Sequence, residues 1–190
     1  MGKSAAIIGN GLFPKKEYPL YLLGQADHII CCDGAFSNYL RHSRSAGVTR
    51  LPDAIIGDMD SLSPDAQKEY GSLIVRVDDQ DTNDQTKAFR HVIGNFRDVT
   101  DIFFLAATGK REDHTIGNMS LLMEYAGYPE VTDRGIRLQM ISDFSTILPV
   151  TDSISMECGQ GRAISIFSPD SSLRICSEGL RWPTDNVVFD

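Results

Sequence analysis

Short apolar runs alternate with amphipathic stretches along the first two-thirds of the chain. The runs are rich in Ile, Val, Leu and Phe, as expected of strands that are buried on both faces of a parallel sheet. We predict strands at residues 5–8, 28–32, 54–57, 73–77 and 102–106. The stretches between them predict helices at residues 35–44, 64–70, 84–93 and 115–125. The alternation favours an α/β fold with a mostly parallel, Rossmann-like sheet covered by helices.

The pattern changes near Arg134, after which no helical period is present. Strand-like runs are instead separated by Ser, Asp, Gly and Pro, which is typical of a small all-β sandwich. We therefore predict an α/β domain at residues 1–134 and a β-sandwich domain at residues 135–190. About 55 residues are few for an independent sandwich, so we expect the first domain or a partner subunit to complete it. The predicted strands of this part are 137–141, 146–150, 154–157, 163–167 and 173–176.

The charge, the apolar runs and the cysteines of the chain argue against several classes of function. The chain has a net charge of −8 and no basic stripe, which argues against binding of nucleic acid. No apolar run has the length of a membrane span, and the N-terminal apolar segment is too short for a signal peptide, so we expect no membrane association. The four cysteines show no zinc-type spacing, and we interpret them as reduced structural thiols of a cytoplasmic protein.

Aspartates follow the predicted strands at the points where the strands end. They are Asp33, Asp58, Asp60, Asp84 and Asp113. Ligands of an open α/β sheet bind beyond the carboxyl ends of its strands. Carboxylates crowded at that edge repel one another, so their arrangement predicts a cation. Hard oxygen ligands favour Mg²⁺, which commonly binds together with a phosphate.

The segment Gly57-Asp58-Met59-Asp60-Ser61 is the first of three candidate motifs. Residues i and i+2 of an extended segment point the same way, so Asp58 and Asp60 can face one ion while Met59 points into the protein. An ordinary Asp-rich turn is the alternative, because Asp and Ser favour turns.

The second motif is the polar segment 79–87, which leads into a predicted helix. Thr82 or Asn83 can cap this helix. Asp84 and Lys87 are three residues apart and share one helix face, which offers a metal ligand beside a cation that can neutralise phosphate. The alternative is a capping motif with a solvated ion pair.

The third motif, residues 109–118, is a glycine turn followed by a helix start, where backbone amides favour a phosphate. The planar guanidinium of Arg111 can hold two phosphate oxygens. Asp113 can bind metal or cap the helix, and we expect capping. We expect His114 to be a hydrogen-bonded structural residue rather than a proton shuttle, and Asn118 to make a polar core contact.

Together, in this order, the motifs resemble the thiamin pyrophosphokinase family. The matching segments are residues 32–35, 57–61, 79–81, 84–88, and Gly109 together with 111–118. The resemblance implies an enzyme that uses ATP and Mg²⁺ to transfer pyrophosphate to the hydroxyl of thiamin. It also implies a homodimer whose β-sandwich domain serves thiamin binding and dimerisation.

The resemblance assigns roles to individual residues. The magnesium and catalytic acids are Asp58, Asp60 and Asp84. The nucleotide-binding residues are Asp33, Arg111, Asp113, His114 and Asn118. The residues that contact thiamin are Gln80 and its neighbour Asp81. We add Lys87 and Arg111 as catalytic cations that stabilise charge on the phosphates, and Asp84 as a candidate proton acceptor.

The chain departs from the family pattern at several positions. Asn83 stands where the family often has Thr, and Lys110 replaces a second glycine beside Arg111. Phe36-Ser37 stands where Ala-Asn is usual. The family continues past the segment 179–183 into a loop and strands that help to hold thiamin, so we expect the second domain to be incomplete at its C-terminus.

Two other functions remain open at this point. One is a different Mg²⁺-dependent nucleotide or sugar transferase that uses Asp58-Met59-Asp60. The other is a non-catalytic nucleotide sensor. Lys87 and Arg111 around the acids favour an enzyme, because a sensor does not need charge stabilisation in a transition state.

Overall fold

The computed structural model describes residues 2–188. The chain divides into two compact units, the first ending at Ser153 and the second beginning at Ile154. Within the described residues, no helix combines the length and the apolar character that crossing a membrane requires.

The first unit is built on a seven-stranded sheet with the order β4-β3-β2-β1-β5-β6-β7. All neighbouring strands are parallel except the last pair, β6 and β7. The chain moves outwards from β1 to β4 on one side and returns to β5 on the other, so the strand order reverses between β1 and β5. The strands are β1 (Lys3–Ile8), β2 (His28–Cys32), β3 (Ala54–Gly57), β4 (Ile74–Arg76), β5 (Val99–Leu105), β6 (Arg137–Ile141) and β7 (Thr146–Ile147).

Six α-helices accompany this sheet: α1 (Glu17–Gln25), α2 (Phe36–His42), α3 (Pro64–Glu69), α4 (Asp84–Asn95), α5 (Glu112–Ala126) and α6 (Pro129–Arg134). The mostly parallel α/β fold predicted from the alternation is confirmed. Two helices, α1 and α6, were not predicted. Pro129 opens α6, and proline is well tolerated at a first helical position.

Aromatic packing fixes α4 against α5. The rings of Phe89 and Tyr125 are stacked with centroids 4.1 Å apart, and Phe104 of β5 packs against both. The Thr86 and Tyr125 hydroxyls are hydrogen-bonded at 2.6 Å inside this core. The start of α4, which carries candidate site residues, is therefore held rigidly over the sheet.

The predicted domain boundary at residue 134 is wrong. Strand β6 pairs in parallel with β5 over five residue pairs, from Asp101–Arg137 to Leu105–Ile141. Strand β7 then pairs with β6. The loss of the helical pattern near Arg134 marks the last strands of the same sheet, because sequence periodicity shows a strand but not its pairing partner.

The second unit contains a two-stranded antiparallel sheet of β8 (Arg174–Ile175) and β9 (Val187–Val188). The predicted strand at 173–176 is thus present in shortened form. Residues 154–157 and 163–167 form no strand. Their apolar side chains, among them Ile154, Met156 and Ile166, are exposed. Alternating apolar residues are insufficient for a strand, which also needs a neighbour to bond its backbone.

Candidate active site

Four aspartates lie near one another beyond the carboxyl ends of β2 and β3, and we call Asp33, Asp58, Asp60 and Asp84 the acidic cluster. Asp33 directly follows β2, and Asp58 directly follows β3. Gly57 lies between the acids from different segments: a Cβ atom at this position would lie 2.6 Å from the Asp33 Cβ and 3.1 Å from Asp84 Oδ1. The absence of a side chain at residue 57 lets the two carboxylates come together.

Asp33 is the most buried member of the acidic cluster, with 1% of its surface exposed. Its Oδ2 accepts a hydrogen bond of 3.0 Å from the Ser61 backbone amide, whereas Oδ1 is buried without a hydrogen-bond partner. Burial raises the pKa of Asp33, and the charges of Asp84, Asp58 and Asp60 raise it further, against the effect of the Ser61 amide. This carboxylate would be stabilised by a cation.

The turn after β3 holds Asp58 in a defined position. Asp58 Oδ1 accepts a bond of 3.2 Å from the Asp60 amide, and Oδ2 accepts one of 3.3 Å from Gln80 Nε2. These two bonds lower the pKa of Asp58. Met59 has a left-handed backbone with φ of 71° and is only 2% exposed, which confirms that its side chain points into the protein.

Asp84 is paired with Lys87 at the start of α4. The distance from Lys87 Nζ to Asp84 Oδ1 is 3.5 Å, and only 4% of the Lys87 side chain is exposed. Burial raises the pKa of Asp84, Lys87 opposes this rise, and Asp58 adds to it. The predicted alternative of a solvated ion pair is wrong, because the cation is buried.

The helix cap is Asn83, whose Oδ1 accepts from the Thr86 amide at 2.9 Å. The preceding loop is held by Asp79, whose carboxylate accepts from the Asp81 amide at 2.8 Å and the Thr82 hydroxyl at 2.6 Å. The loop directs Gln80 towards Asp58. The Asp81 side chain is exposed.

The third motif forms a separate group at the start of α5, which begins at Glu112. Arg111 and Asp113 form a two-point ion pair with an Nε–Oδ1 distance of 3.0 Å, and both are exposed. The predicted capping by Asp113 is wrong, because its carboxylate turns to Arg111, which lowers the pKa of Asp113. His114 is exposed on the same helical turn.

The predicted polar contact of Asn118 is confirmed. Its Nδ2 donates to the Ala107 carbonyl at 2.7 Å, and its Oδ1 accepts from Asn83 Nδ2 at 3.3 Å. Asn118 therefore links the end of β5 to the start of α4. Within residues 2–188, no hydrogen bond or ion pair joins Arg111 or Asp113 to the acidic cluster.

Sequence reasoning missed Asn10, which follows β1. Its Oδ1 accepts from Lys110 Nζ at 3.2 Å and from Asn38 Nδ2 at 3.1 Å. A Cβ atom at Gly34, next to Asp33, would lie 2.5 Å from Asn10 Nδ2. The sequence feature that could have indicated Asn10 is its position as a polar residue between two glycines, directly after a buried strand.

Comparison with known proteins identifies the family of this chain. Residues 20–132 match the family described as thiamin pyrophosphokinase, catalytic domain. The chain belongs to the thiamin pyrophosphokinase family. The matched residues include the acidic cluster and the Arg111–Asp113 pair.

Plant members of the thiamin pyrophosphokinase family are similar in sequence. Thiamine pyrophosphokinase 1 of Oryza sativa subsp. japonica is 33% identical over 152 residues, covering 72% of this chain and 54% of the relative. Thiamine pyrophosphokinase 1 of Arabidopsis thaliana is 33% identical over 153 residues, covering 72% of this chain and 53% of the relative. This chain thus spans about half the length of these relatives.

Solved structures share the fold. A probable thiamine pyrophosphokinase from Staphylococcus saprophyticus is 26% identical with a TM-score of 0.53, covering 74% of this chain and 65% of that one. Yeast thiamin pyrophosphokinase is 23% identical with a TM-score of 0.52, and the match covers 74% of this chain and 59% of the yeast chain. The second of these supports the fold alone.

Proposed function

We propose that this protein transfers pyrophosphate from ATP to the hydroxyl of thiamin, giving thiamin diphosphate and AMP. The observation that carries the proposal is the meeting of Asp33 and Asp84 at Gly57, with the buried Lys87 ammonium beside Asp84. Membership of the thiamin pyrophosphokinase family supports the same conclusion. No finding favours a sugar transferase or a non-catalytic sensor.

We propose Asp58, Asp60 and Asp84 as the residues that would hold Mg²⁺. The partnerless Asp33 oxygen and the mutual repulsion of the acids fit a cation. Across residues 2–188, no three acidic, His or Cys side chains are oriented to hold an ion as they stand. Both Asp58 oxygens are engaged by the Asp60 amide and Gln80, so these bonds would have to exchange. When bound, Mg²⁺ neutralises charge on phosphate oxygens.

The protein's own groups position the reactants and balance charge. The thiamin hydroxyl oxygen forms a bond to the β-phosphorus of ATP, and the bond from that phosphorus to the α–β bridging oxygen breaks, releasing AMP. Asp84, in its ionised form, accepts the hydroxyl proton. Lys87 and Arg111 stabilise the charge that grows on the phosphate oxygens.

We also propose which residues contact the nucleotide and which contact thiamin. Asp33, Asp113, His114 and Asn118 lie at or near the ends of β2 and β5 and would contact ATP. For this, Arg111 would exchange its Asp113 partner for phosphate. Gln80 and Asp81 lie on the loop beside Asp58 and would contact thiamin. We further propose that the second unit takes part in thiamin binding and in formation of a homodimer.

One assay tests the proposed function. The protein is incubated with Mg²⁺, ATP and thiamin, and the products are separated by chromatography. Thiamin diphosphate and AMP in equal amounts are expected. Formation of ADP instead of AMP would contradict transfer of two phosphates as a unit. Light scattering during gel filtration tests the homodimer separately.

A further inference from the structure

The Gln67 side chain joins helix α3 to the turn that follows β3. Its Nε2 donates hydrogen bonds to the Met59 carbonyl at 3.0 Å and to the Leu62 carbonyl at 2.9 Å. A primary amide nitrogen carries two hydrogens, so each carbonyl can receive one of them. The reverse orientation of the amide would place its oxygen against two carbonyl oxygens, so the contacts themselves fix which end of the side chain faces the turn.

The two carbonyl groups bracket the part of the turn that carries Asp60. Met59 stands between Asp58 and Asp60, and Leu62 follows two residues after Asp60. The backbone of Met59 is left-handed, with φ of 71°, which a residue with a side chain adopts only when its surroundings hold it there. Within the turn, the Leu62 amide reaches the Met59 carbonyl at 3.4 Å, which is a long hydrogen bond. The shorter bond from Gln67 therefore secures a carbonyl that the turn alone holds weakly.

The turn positions three members of the acidic cluster. Asp58 and Asp60 are part of it, and the Asp60 amide donates to Asp58 Oδ1 at 3.2 Å. The Ser61 amide donates to Asp33 Oδ2 at 3.0 Å. A movement of the turn would therefore displace Asp58 and Asp60 and break the bond to Asp33.

Helix α3 holds Gln67 in place without contributing a buried side chain to the core. Ser63 caps the helix by accepting from the Ala66 amide at 3.2 Å, and Pro64 occupies the start of the helix, where its fixed φ is suitable. The Gln67 backbone amide donates to the Ser63 carbonyl at 2.9 Å. Local interactions therefore stabilise this short helix, and the half-buried Gln67 side chain links it to the turn.

We propose that Gln67 is a positioning residue for the acids Asp58 and Asp60, and that it acts through the carbonyl groups of Met59 and Leu62. The inference rests on the proposed binding of Mg²⁺ by these acids. Gln67 is assigned no contact with the metal or with a substrate. It keeps the turn in one shape, so that the carboxylates are already placed when the ion arrives. Groups that orient metal ligands commonly affect metal affinity strongly.

Amide NMR of the variant Gln67→Met tests the proposal. Methionine is similar in length, favours helices and cannot donate to the two carbonyl groups. Hydrogen exchange of the Ser61 amide should become about tenfold faster, because the turn opens more often without the two bonds. Titration with Mg²⁺ alone, followed by the amide signals of residues 57–61, should give a dissociation constant about tenfold higher. Gln67→Asn, whose amide is one carbon shorter, is a second variant and should shift both quantities in the same direction.

Two control variants separate the Gln67 amide from other effects. Gln25→Met makes the same replacement at the exposed end of α1 and should change neither quantity. Ser63→Ala removes the cap of α3 but retains the Gln67 amide. It should therefore lower Tm and leave the Mg²⁺ dissociation constant unchanged, which distinguishes positioning of the turn from a general loss of helix stability.

Unchanged exchange of Ser61 in Gln67→Met, or faster exchange with unchanged Mg²⁺ affinity, would overturn the proposal and leave the proposed function standing. Equal losses of Mg²⁺ affinity in Ser63→Ala and Gln67→Met would also overturn it, because the stability of α3 would then explain both. If Mg²⁺ shifts no amide signal of the unaltered protein, the metal site and this inference are refuted together. Mg²⁺ binding that depends on Gln67, without formation of thiamin diphosphate, would refute only the proposed reaction.

Discussion

The Lys87 ammonium lies 3.5 Å from the Asp84 carboxylate and is almost completely excluded from solvent. A buried ammonium group needs a negatively charged partner. The partner of Lys87 is Asp84, which belongs to the acidic cluster, whose members repel one another. Lys87 therefore opposes the rise in the pKa of Asp84 that burial and the charge of Asp58 cause.

Replacing Lys87 with Met should reduce turnover about a hundredfold, because the proposed mechanism places this cation next to the phosphates. It should also change the pH dependence. Lys87 opposes the raised pKa of Asp84, so its removal raises that pKa further and moves the acidic limb of the rate profile to higher pH. Measurement of turnover against pH checks both effects. Lys87→Arg keeps the positive charge, so the acidic limb of the rate profile should stay near its original pH.

Replacing Asp84 with Ala should preserve the fold and lower AMP production about a hundredfold or more. Asp84 begins α4 but does not cap it, since Asn83 has that role, so the helix should persist. AMP release is measured by chromatography, and the fold by circular dichroism. Asp98→Ala is the control, because Asp98 pairs with Lys3 at the amino end of β1. Normal AMP production by Asp84→Ala would remove Asp84 from the mechanism.

Replacing Asp33 with Asn should make the protein more stable at pH 7 and less able to bind Mg²⁺-ATP. Burial raises the pKa of Asp33, so its ionisation opposes folding. The pKa of Asp33 is near 3.8 in the unfolded chain and higher in the folded protein. Protonated Asp33 therefore favours the folded protein fully below pH 3.8, and this contribution is lost as the pH rises through the folded-state pKa. The advantage of the variant should therefore be full at pH 7 and shrink as the pH falls towards 4. Thermal unfolding across this range is the measurement; equal stability at pH 7 would contradict the reasoning.

Replacing Asn83 with Ala removes the cap of α4 and the contact with Asn118. The loss of a cap costs about 1 kcal/mol, which corresponds to a fall in Tm of about 3 °C. Turnover should also fall, because Asp84 and Lys87 lie in the first turn of that helix. Asn83→Thr keeps a capping oxygen and should retain most of the stability. Ser63→Ala, which uncaps the exposed helix α3, should lower Tm without affecting turnover.

Strands β2 and β3 could be predicted with their bounds because burial on both faces leaves an uninterrupted apolar run. His28–Cys32 and Ala54–Gly57 were predicted to the residue. The edge strand β4 is shorter than its apolar run, since Val75 and Arg76 are exposed and only one neighbour bonds them. Helix α1 escaped prediction because Pro19 interrupts its first turn.

The location of the aspartates at the ends of strands could be predicted from the sequence, but their contacts could not. Strand pairing brings Asp33 next to Gly57. This contact depends on the register between β2 and β3, which cannot be read from the local sequence pattern. Burial of Lys87 likewise depends on how α4 packs over the sheet. The role of Asn10 appears only when the loops after β1 and β5 are side by side.

Met59 anchors the turn between Asp58 and Asp60 in the hydrophobic interior. Its left-handed backbone is costly for a residue with a side chain, and the packing around it keeps the turn in this one shape. The two flanking carboxylates therefore lose little freedom when a ligand arrives. Affinity at this edge of the sheet should respond more to charge than to loop ordering, so binding there should show a small entropic penalty.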